Sequence, residues 1–274
     1  MDHIPSVSIV IPTYNHAHFL QKCLQSVIEQ TYSDWEAIIV NNFSEDDTVE
    51  VVNSFQDPRI QLINFRNNGI IAASRNQGIK NARGRYIAFL DSDDIWMPDK
   101  LDKQVRQMEA DSEILLSYVL FTWMLDNGMT RGVWPKQKNR FRGRIFKSLY
   151  LKCVIPNSGV MVRREVFSEL GLLNESKKLI AAEDSDMWLR IARRGVIDYV
   201  DQPPLLMYRV RKESTSRGLL RQWKRHLYVA RKFAPHAGVA LYLLNVMVST
   251  TNVCKLTLIN YNPVSIILKR VRSW

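Results

Sequence analysis

Cysteine is scarce in this sequence, and its spacing argues against two classes of small scaffold. Only three of the 274 residues are cysteines, Cys23, Cys153 and Cys254, and no two of them stand at CxxC spacing. A disulfide framework requires an even number of cysteines, and a structural zinc site requires paired ligands. The sequence suggests neither, and a reducing cytoplasm is the expected compartment.

The amino end lacks the pattern of a secretory signal. Residues 1–5 carry an acid and a proline where a signal would have basic residues followed by an apolar run, so we expect no export. Internal repeats and low-complexity segments are also absent. With 46% hydrophobic residues the chain can bury a substantial core. These features predict a globular protein with one large or two small α/β domains.

Acidic residues are missing from the last 56 positions. Residues 219–274 contain nine Lys or Arg and no Asp or Glu, whereas the whole chain has a net charge of +11. The first 218 residues therefore carry only +2, the difference between +11 and +9. A nearly neutral body argues against nucleic-acid binding, and a basic tail predicts contact with an anionic membrane surface.

One long segment without charge, residues 233–254, could span a membrane by length alone. Seven polar or helix-breaking residues interrupt it: Pro235, His236, Asn245, Ser249, Thr250, Thr251 and Asn252. Three of them, Asn245, Ser249 and Asn252, recur at helical spacing opposite apolar residues. The pattern favours an amphipathic helix lying in the membrane plane. The alternative is a helical pair packed on the catalytic domain or on a second subunit.

The body alternates short β-branched runs with helical patterns, which indicates a parallel sheet with crossover helices. Four strands are predicted in the first hundred residues: Val7–Ile11, Glu36–Val40, Ile60–Asn64 and Tyr86–Leu90. Right-handed crossovers place the carboxyl ends of such strands at one edge of the sheet, where ligands bind.

The pattern loosens after Pro98, which we expect to be the first residue of a helix. An apolar segment follows at Ile114–Trp123, and a basic, aromatic stretch over residues 131–150 predicts a mobile loop. Four further elements are predicted: strand Gly159–Arg163, helix Glu165–Leu170, helix Glu183–Arg194 and strand Leu205–Val210.

An acidic cluster follows the apolar strand Tyr86–Leu90, with carboxylates at Asp91, Asp93 and Asp94. Alternation in a strand places Asp91 and Asp93 on the same side, and their repulsion is relieved by a hard divalent cation. Mg²⁺ or Mn²⁺ on a nucleoside diphosphate fits this pattern. The alternative is that Asp94 caps the helix near Pro98 and the other two are solvated. A short acidic motif alone does not decide between them.

Four sequence blocks together resemble the family 2 glycosyltransferases of GT-A fold, over roughly residues 5–215. The blocks are Val7–Asn15, Ile39–Thr48, Ala73–Gly78 with Ala82–Ile87, and Phe89–Asp94. The resemblance implies an α/β GT-A fold, a Rossmann-like mixed sheet flanked by helices. It also implies a catalytic domain over residues 1–218, with a nucleotide-sugar-binding half (1–100) and an acceptor-binding half (101–218). A basic helical tail, residues 219–274, follows.

The resemblance also implies which residues surround the nucleotide sugar and the cation. The donor set is Pro12, Tyr14, Asn42, Arg75, Asp91, Ser92, Asp93 and Arg211, of which Asp91 and Asp93 hold the metal. Tyr14 stacks on the nucleobase, unless it is a core aromatic. Asn42 binds the base edge where the family usually has Asp, unless it only turns the chain. Arg75 lies near the base or the phosphates, unless it is an exposed helical arginine.

A second segment, Glu183–Arg190, resembles the family's Glu-Asp pair at the start of a helix, which makes Asp184 the general base. The alternative role for Asp184 or Glu183 is helix capping. Arg211 stands where the family often has His, and it either pairs with the diphosphate or lies in a solvated loop. Asn157, Ser158 and Glu183 are weaker candidates for contact with the acceptor.

The expected reaction is an inverting transfer from a nucleoside-diphosphate sugar to a hydroxyl of a glycan or lipid-linked acceptor. Bacterial surface polysaccharide synthesis at the cytoplasmic face of the membrane is the setting that the family and the tail suggest. Two alternatives are a nucleotidyltransferase and a sugar-binding module. The former calls for a Gly-rich phosphate loop after the first strand, where this chain has Pro12–Asn15. The latter has no use for a base such as Asp184.

Overall fold

The computed structural model describes residues 3–125, 128–210 and 218–261, with the side chains of 219 and 252–261 excepted. Two compact units are present, residues 1–212 and 213–274. The strands are β1 Val7–Thr13, β2 Trp35–Asn41, β3 Ile60–Asn64, β4 Tyr86–Phe89, β5 Ile95–Trp96, β6 Ile114–Tyr118, β7 Phe121–Met124, β8 Thr130–Trp134, β9 Val160–Arg163, β10 Val196–Tyr199 and β11 Leu206–Arg209. The helices are α1 Ala17–Ile28, α2 Thr48–Ser54, α3 Ile71–Asn81, α4 Lys100–Ala110, α5 Phe146–Leu151, α6 Glu165–Leu170, α7 Glu183–Arg194, α8 Leu219–Ala237 and α9 Val239–Tyr261.

The main sheet has seven strands in the order β10-β6-β9-β4-β1-β2-β3. Strands β4, β1, β2 and β3 pair in parallel, as the four predicted strands require. Every residue of β1, β2 and β4 is buried, which accounts for their unbroken apolar runs. Strand β9 enters antiparallel between β4 and β6, so the sheet is mixed.

A second sheet of four strands, β5-β11-β7-β8, lies within the same unit. The predicted mobile loop over residues 131–150 is wrong, because this stretch contains most of β8, a short 3-10 helix at Gln137–Asn139 and α5. Strand β8 pairs antiparallel with β7, and its basic and glycine residues face solvent, which hid the strand pattern. The apolar segment Ile114–Trp123 spans two strands, β6 and β7, rather than one element.

Helix α4 begins two residues later than predicted. It starts at Lys100, with Asp99 at the cap position, so Pro98 precedes the helix. The carbonyl of Pro98 instead accepts a hydrogen bond from the backbone N–H of Thr31 at 3.0 Å. The proline therefore joins the end of α1 to the start of α4.

The second unit is a pair of helices, α8 and α9, separated by Gly238 at a φ of 86°. Asn245, predicted to belong to the polar stripe of this helix, is buried and lies within 2.7 Å of the His226 ring. Trp223 donates to the Thr250 hydroxyl at 3.3 Å. Polar side chains of α9 thus bind α8. No described helix has the length and apolarity needed to cross a bilayer.

Candidate active site

The loops that follow β1 and β2 are tied together at the carboxyl edge of the sheet. The backbone N–H of Asn15 donates to the Ser44 hydroxyl at 2.9 Å, and the Asn15 side chain accepts from the N–H of Glu45 at 2.8 Å. Asp46 accepts from the N–H of Ala17 at 2.9 Å, which fixes the start of α1. These hydrogen bonds tie the loop after β1 to the loop after β2. Together the two loops, residues 14–17 and 42–46, form a braced rim beside the acidic cluster at residues 91–94.

Tyr14 lies on this rim with half of its surface (50%) exposed. The alternative of a core aromatic is therefore wrong, and contact with a nucleobase stays a prediction. Pro12, by contrast, is buried within β1 and pairs in register with Val40. Because its ring lies inside the sheet, Pro12 shapes the rim through the backbone and offers no exposed side chain to a donor.

The two asparagines at the end of β2 have different surroundings. Asn41 is buried and bonds Asn64 and Ser44, so its side chain is fully used in holding the loop. Asn42 is half-buried, and its Oδ1 accepts from the backbone N–H of Asn67 at 2.9 Å. Within the described chain its amide nitrogen meets no acceptor. That group therefore remains available to a ligand, while the oxygen braces the next loop.

Arg75 is buried and paired with two carboxylates. It is only 3% exposed, and its guanidinium donates to Asp91 Oδ1 at 2.7 Å and to Glu183 Oε1 at 2.5 Å. Burial lowers the pKa of the Arg75 guanidinium, but these two carboxylates outweigh burial and the pKa rises above its usual value. Arg75 therefore joins the end of β4 to the start of α7. The alternative of an exposed helical arginine is wrong, and a position near the base or the phosphates stays a prediction.

The acidic cluster is held by side chains from the loop before β9. Asn157 Nδ2 donates to Asp91 Oδ1 at 3.2 Å, and the Ser158 hydroxyl donates to Asp94 Oδ2 at 2.5 Å. Both residues are buried. Their described contacts position carboxylates, and contact of Asn157 and Ser158 with the acceptor stays a prediction.

Asp94 does not cap the helix after Pro98. Its second oxygen accepts from the backbone N–H of Arg209 at 2.8 Å, and the residue is 2% exposed. Burial, followed by the charges of Asp93 and Asp91, raises the pKa of the Asp94 carboxyl well above its usual value. Asp94 thus belongs to the interior of the cluster, between β4 and β11.

Two residues that the sequence patterns did not indicate also contact this cluster. His16 Nδ1 lies 2.8 Å from the hydroxyl of Ser92. Because Ser92 is buried, this contact braces the loop after β1. Arg209 Nε donates to the backbone carbonyl of Asp93 at 2.8 Å. His16 follows the Tyr14 block directly, and that adjacency was the available signal.

The prediction for Arg211 lies outside the described residues.

Asp184 lies in the first turn of α7, half-buried, and accepts from the backbone N–H of Ser185 at 2.6 Å. Burial and the neighbouring Glu183 carboxylate raise its pKa to about 6, against a smaller lowering by Arg75. A carboxylate of this pKa suits a general base at neutral pH.

Glu183 has a structural environment instead. It is 3% exposed and accepts from Arg75 and from the backbone N–H of Ala182 at 3.0 Å. Both of its oxygens hold the start of α7, and contact of Glu183 with the acceptor stays a prediction.

The described residues include no group of three or more metal-ligating side chains. Asp91 Oδ1 is occupied by Arg75 and Asn157, whereas Oδ2 accepts no hydrogen bond from the described chain. Asp91 and the half-buried Asp93 supply one or two carboxylates for a cation. Mg²⁺ in phosphate sites commonly has that number of protein ligands and takes the others from phosphate and water. The carboxylates of Asp91 and Asp93 therefore fit such an ion.

Comparison with known proteins gives the fold and the family. Residues 8–171 match the family described as "Glycosyl transferase family 2". The UDP-Glc:alpha-D-GlcNAc-diphosphoundecaprenol beta-1,3-glucosyltransferase WfgD of Escherichia coli is 31% identical over 245 residues, which are 88% of this chain and 92% of WfgD. An uncharacterized glycosyltransferase of Rickettsia felis is 33% identical over 201 residues, or 73% of this chain, but the chain spans only 32% of that longer relative.

Among solved structures, the mannosyltransferase PcManGT from Pyrobaculum calidifontis, in complex with GDP-Man and Mn²⁺, has a TM-score of 0.66 at 18% identity. The match covers 99% of this chain and 80% of PcManGT. The GT-A fold predicted from the sequence blocks is thereby confirmed. With the family match over residues 8–171, this chain belongs to glycosyl transferase family 2.

Proposed function

We propose that this glycosyltransferase is metal-dependent and inverting, and that it transfers a sugar from a nucleoside-diphosphate sugar to a hydroxyl of a glycan or lipid-linked acceptor. One observation carries the proposal. Arg75 binds Asp91 at the end of β4 and Glu183 at the start of α7, and Asp184 is the next residue along α7. A candidate base is thus fixed beside a candidate diphosphate site by one buried side chain.

The donor side of the site uses the braced rim and the carboxylates of Asp91 and Asp93. The exposed ring of Tyr14 stacks on the nucleobase, and the amide nitrogen of Asn42 donates to its edge. Asp91 and Asp93 would hold the Mn²⁺ or Mg²⁺ that binds the diphosphate. When bound, the cation supplies Lewis-acid stabilisation of the negative charge on the departing diphosphate.

The acceptor side depends on Asp184. Its carboxylate takes the proton of the acceptor hydroxyl while that oxygen attacks the anomeric carbon from the face opposite the diphosphate. The new carbon–oxygen bond forms as the bond from the anomeric carbon to the diphosphate breaks, which inverts the configuration. A pKa of about 6 leaves Asp184 mostly ionised at neutral pH and still basic enough to accept a proton.

The experiment that tests this function is a donor panel. The full chain is incubated with UDP-Glc, UDP-GlcNAc and GDP-Man, each with Mn²⁺, with Mg²⁺ or with chelator. We expect release of the nucleoside diphosphate from at least one donor, and only with cation. Formation of UTP or GTP and a sugar 1-phosphate when pyrophosphate is added would instead indicate nucleotidyl transfer. Full release in chelator would contradict the assignment of Asp91 and Asp93.

We also propose that the helix pair α8/α9 binds an anionic membrane surface, which brings the enzyme to a lipid-linked acceptor. Three apolar side chains of α9, Val239, Leu243 and Met247, are 60–74% exposed and recur every four residues. Helix α8 has four exposed basic residues, Arg221, Lys224, Arg231 and Lys232. Exposed apolar and basic groups together are typical of in-plane membrane helices. WfgD, a relative, has a diphosphoundecaprenol-linked acceptor by name.

Binding to vesicles tests the helix pair. The full chain should bind phosphatidylglycerol vesicles more tightly than phosphatidylcholine vesicles, and added salt should weaken the binding. Leu243→Gln/Met247→Gln should weaken it at least tenfold, because burying one large apolar side chain contributes about 1.5–3 kcal/mol. Met129→Gln makes the same chemical change at a half-exposed position of the other unit and should have no effect. Equal binding by the double variant would contradict the proposal.

A further inference from the structure

A pocket of about 460 Å³ lies at the opposite edge of the main sheet, away from the candidate active site. Its lining includes Arg83 and Arg85 before β4, Arg164 between β9 and α6, and Ser168 on α6. Because β4 runs from Arg85 toward Asp91, six residues of extended chain, about 20 Å, separate the two places. Nothing in the proposed transfer uses this pocket.

Two of the arginines are neighbours across the sheet. Strands β4 and β9 are antiparallel with Tyr86 opposite Arg163, so Arg85 stands opposite Arg164. The backbone N–H of Arg164 donates to the carbonyl of Arg85 at 2.9 Å, which holds the two residues together. Like charges on such closely spaced residues repel each other.

The protein compensates this charge only in part. Arg83, the third arginine, forms an ion pair with Glu36 at 2.9 Å. No ion pair within the described residues reaches the guanidinium of Arg85 or of Arg164. One carboxylate, that of Glu165, also lines the pocket. Three arginines therefore line one concave site, and Glu165 is the one carboxylate among its lining residues.

We infer that this pocket binds a ligand through a phosphate or diphosphate group, separately from the sugar donor. Guanidinium groups offer forked donors that match phosphate oxygens and bind them with two hydrogen bonds each. A bound phosphate relieves the repulsion between Arg85 and Arg164, and the Ser168 hydroxyl supplies a further donor. Ile4 and Pro5 form an apolar wall beside the arginines, which suits an organic group attached to the phosphate.

Titration with pyrophosphate tests this site in the full chain. Chelator is present throughout, so that no cation loads the donor site. We expect Arg85→Gln/Arg164→Gln to bind pyrophosphate at least tenfold more weakly than the wild type. Arg106→Gln is the matched control, since Arg106 is an exposed arginine paired with Asp102 on α4. Equal affinity of the double variant and the wild type, or no binding by the wild type, would overturn the inference.

A second variant, Ser168→Glu, tests the same site through two measurements, pyrophosphate binding and the unfolding temperature. Ser168→Glu places a carboxylate in the pocket without removing an arginine, so it should also weaken pyrophosphate binding while raising the unfolding temperature. Loss of binding in both variants supports the site even if one variant folds poorly. Retained pyrophosphate binding in a folded Ser168→Glu protein would contradict it. The readout is binding, so it is independent of the proposed transfer.

The source of the phosphate is distinguished with vesicles. The comparison uses phosphatidylglycerol vesicles and the Leu243→Gln/Met247→Gln background, which removes the contribution of the helix pair. If Arg85→Gln/Arg164→Gln lowers vesicle binding further, the pocket takes a lipid headgroup. If vesicle binding is unchanged while pyrophosphate binding is lost, the pocket takes a soluble phosphate compound.

Discussion

Replacement of Asp184 by asparagine should reduce turnover by about 10²–10⁴-fold, the usual contribution of a general base. Asparagine keeps the shape of the side chain but accepts no proton at neutral pH. Donor affinity should stay near that of the wild type, because the donor contacts are assigned to β1, β2 and β4. Turnover at saturating donor and acceptor, with donor affinity measured by calorimetry, checks this expectation.

Asp186→Asn is the matched control on the same helix. Asp186 is fully buried and pairs with Arg190 at 3.1 Å, so its substitution should lower stability and leave turnover within a few-fold of the wild type. Loss of donor binding with unchanged turnover in Asp184→Asn would show that Asp184 serves the nucleotide, which contradicts its role as the base.

Replacement of Arg75 by methionine should lower the free energy of unfolding by about 3–5 kcal/mol. Methionine fills much of the space, but it leaves the buried Glu183 carboxylate and one oxygen of Asp91 without their counter-charge.

Chemical denaturation measures the effect. Arg106→Met is the control, because Arg106 forms an exposed i,i+4 pair with Asp102 and should change stability by less than about 1 kcal/mol. Similar small losses in both variants would show that the Arg75 ion pairs do not hold the site together.

The sequence predicted the parallel half of the sheet well for a physical reason. Strands β1, β2 and β4 are buried on both faces, so their apolar runs carry the signal without interference from solvent. Strand β8 lies at the edge of the small sheet, with Arg131 and Gly132 exposed, and the pattern there predicted a loop.

The sequence predicted which residues belong to the candidate site better than it predicted the contacts that they make. Arg75 and Glu183 are 108 positions apart, and no periodicity relates them. Asn157 and Ser158 have side chains that suit an acceptor site equally well, and only the fold shows that they bind Asp91 and Asp94. Sequence patterns thus indicated which chemistry is present, whereas the pairing of charges depended on the three-dimensional crossing of β4, α3 and α7.

The pH dependence of kcat/KM tests most directly the claim that Asp184 is the base. Since its pKa is raised to about 6, the wild-type rate should fall tenfold per pH unit below that value, as the carboxylate becomes protonated and can no longer accept a proton. The residual activity of Asp184→Asn should lack this acidic limb. A wild-type rate that stays flat well below pH 6, with the protein still folded, would contradict the account, and so would the same limb in the variant.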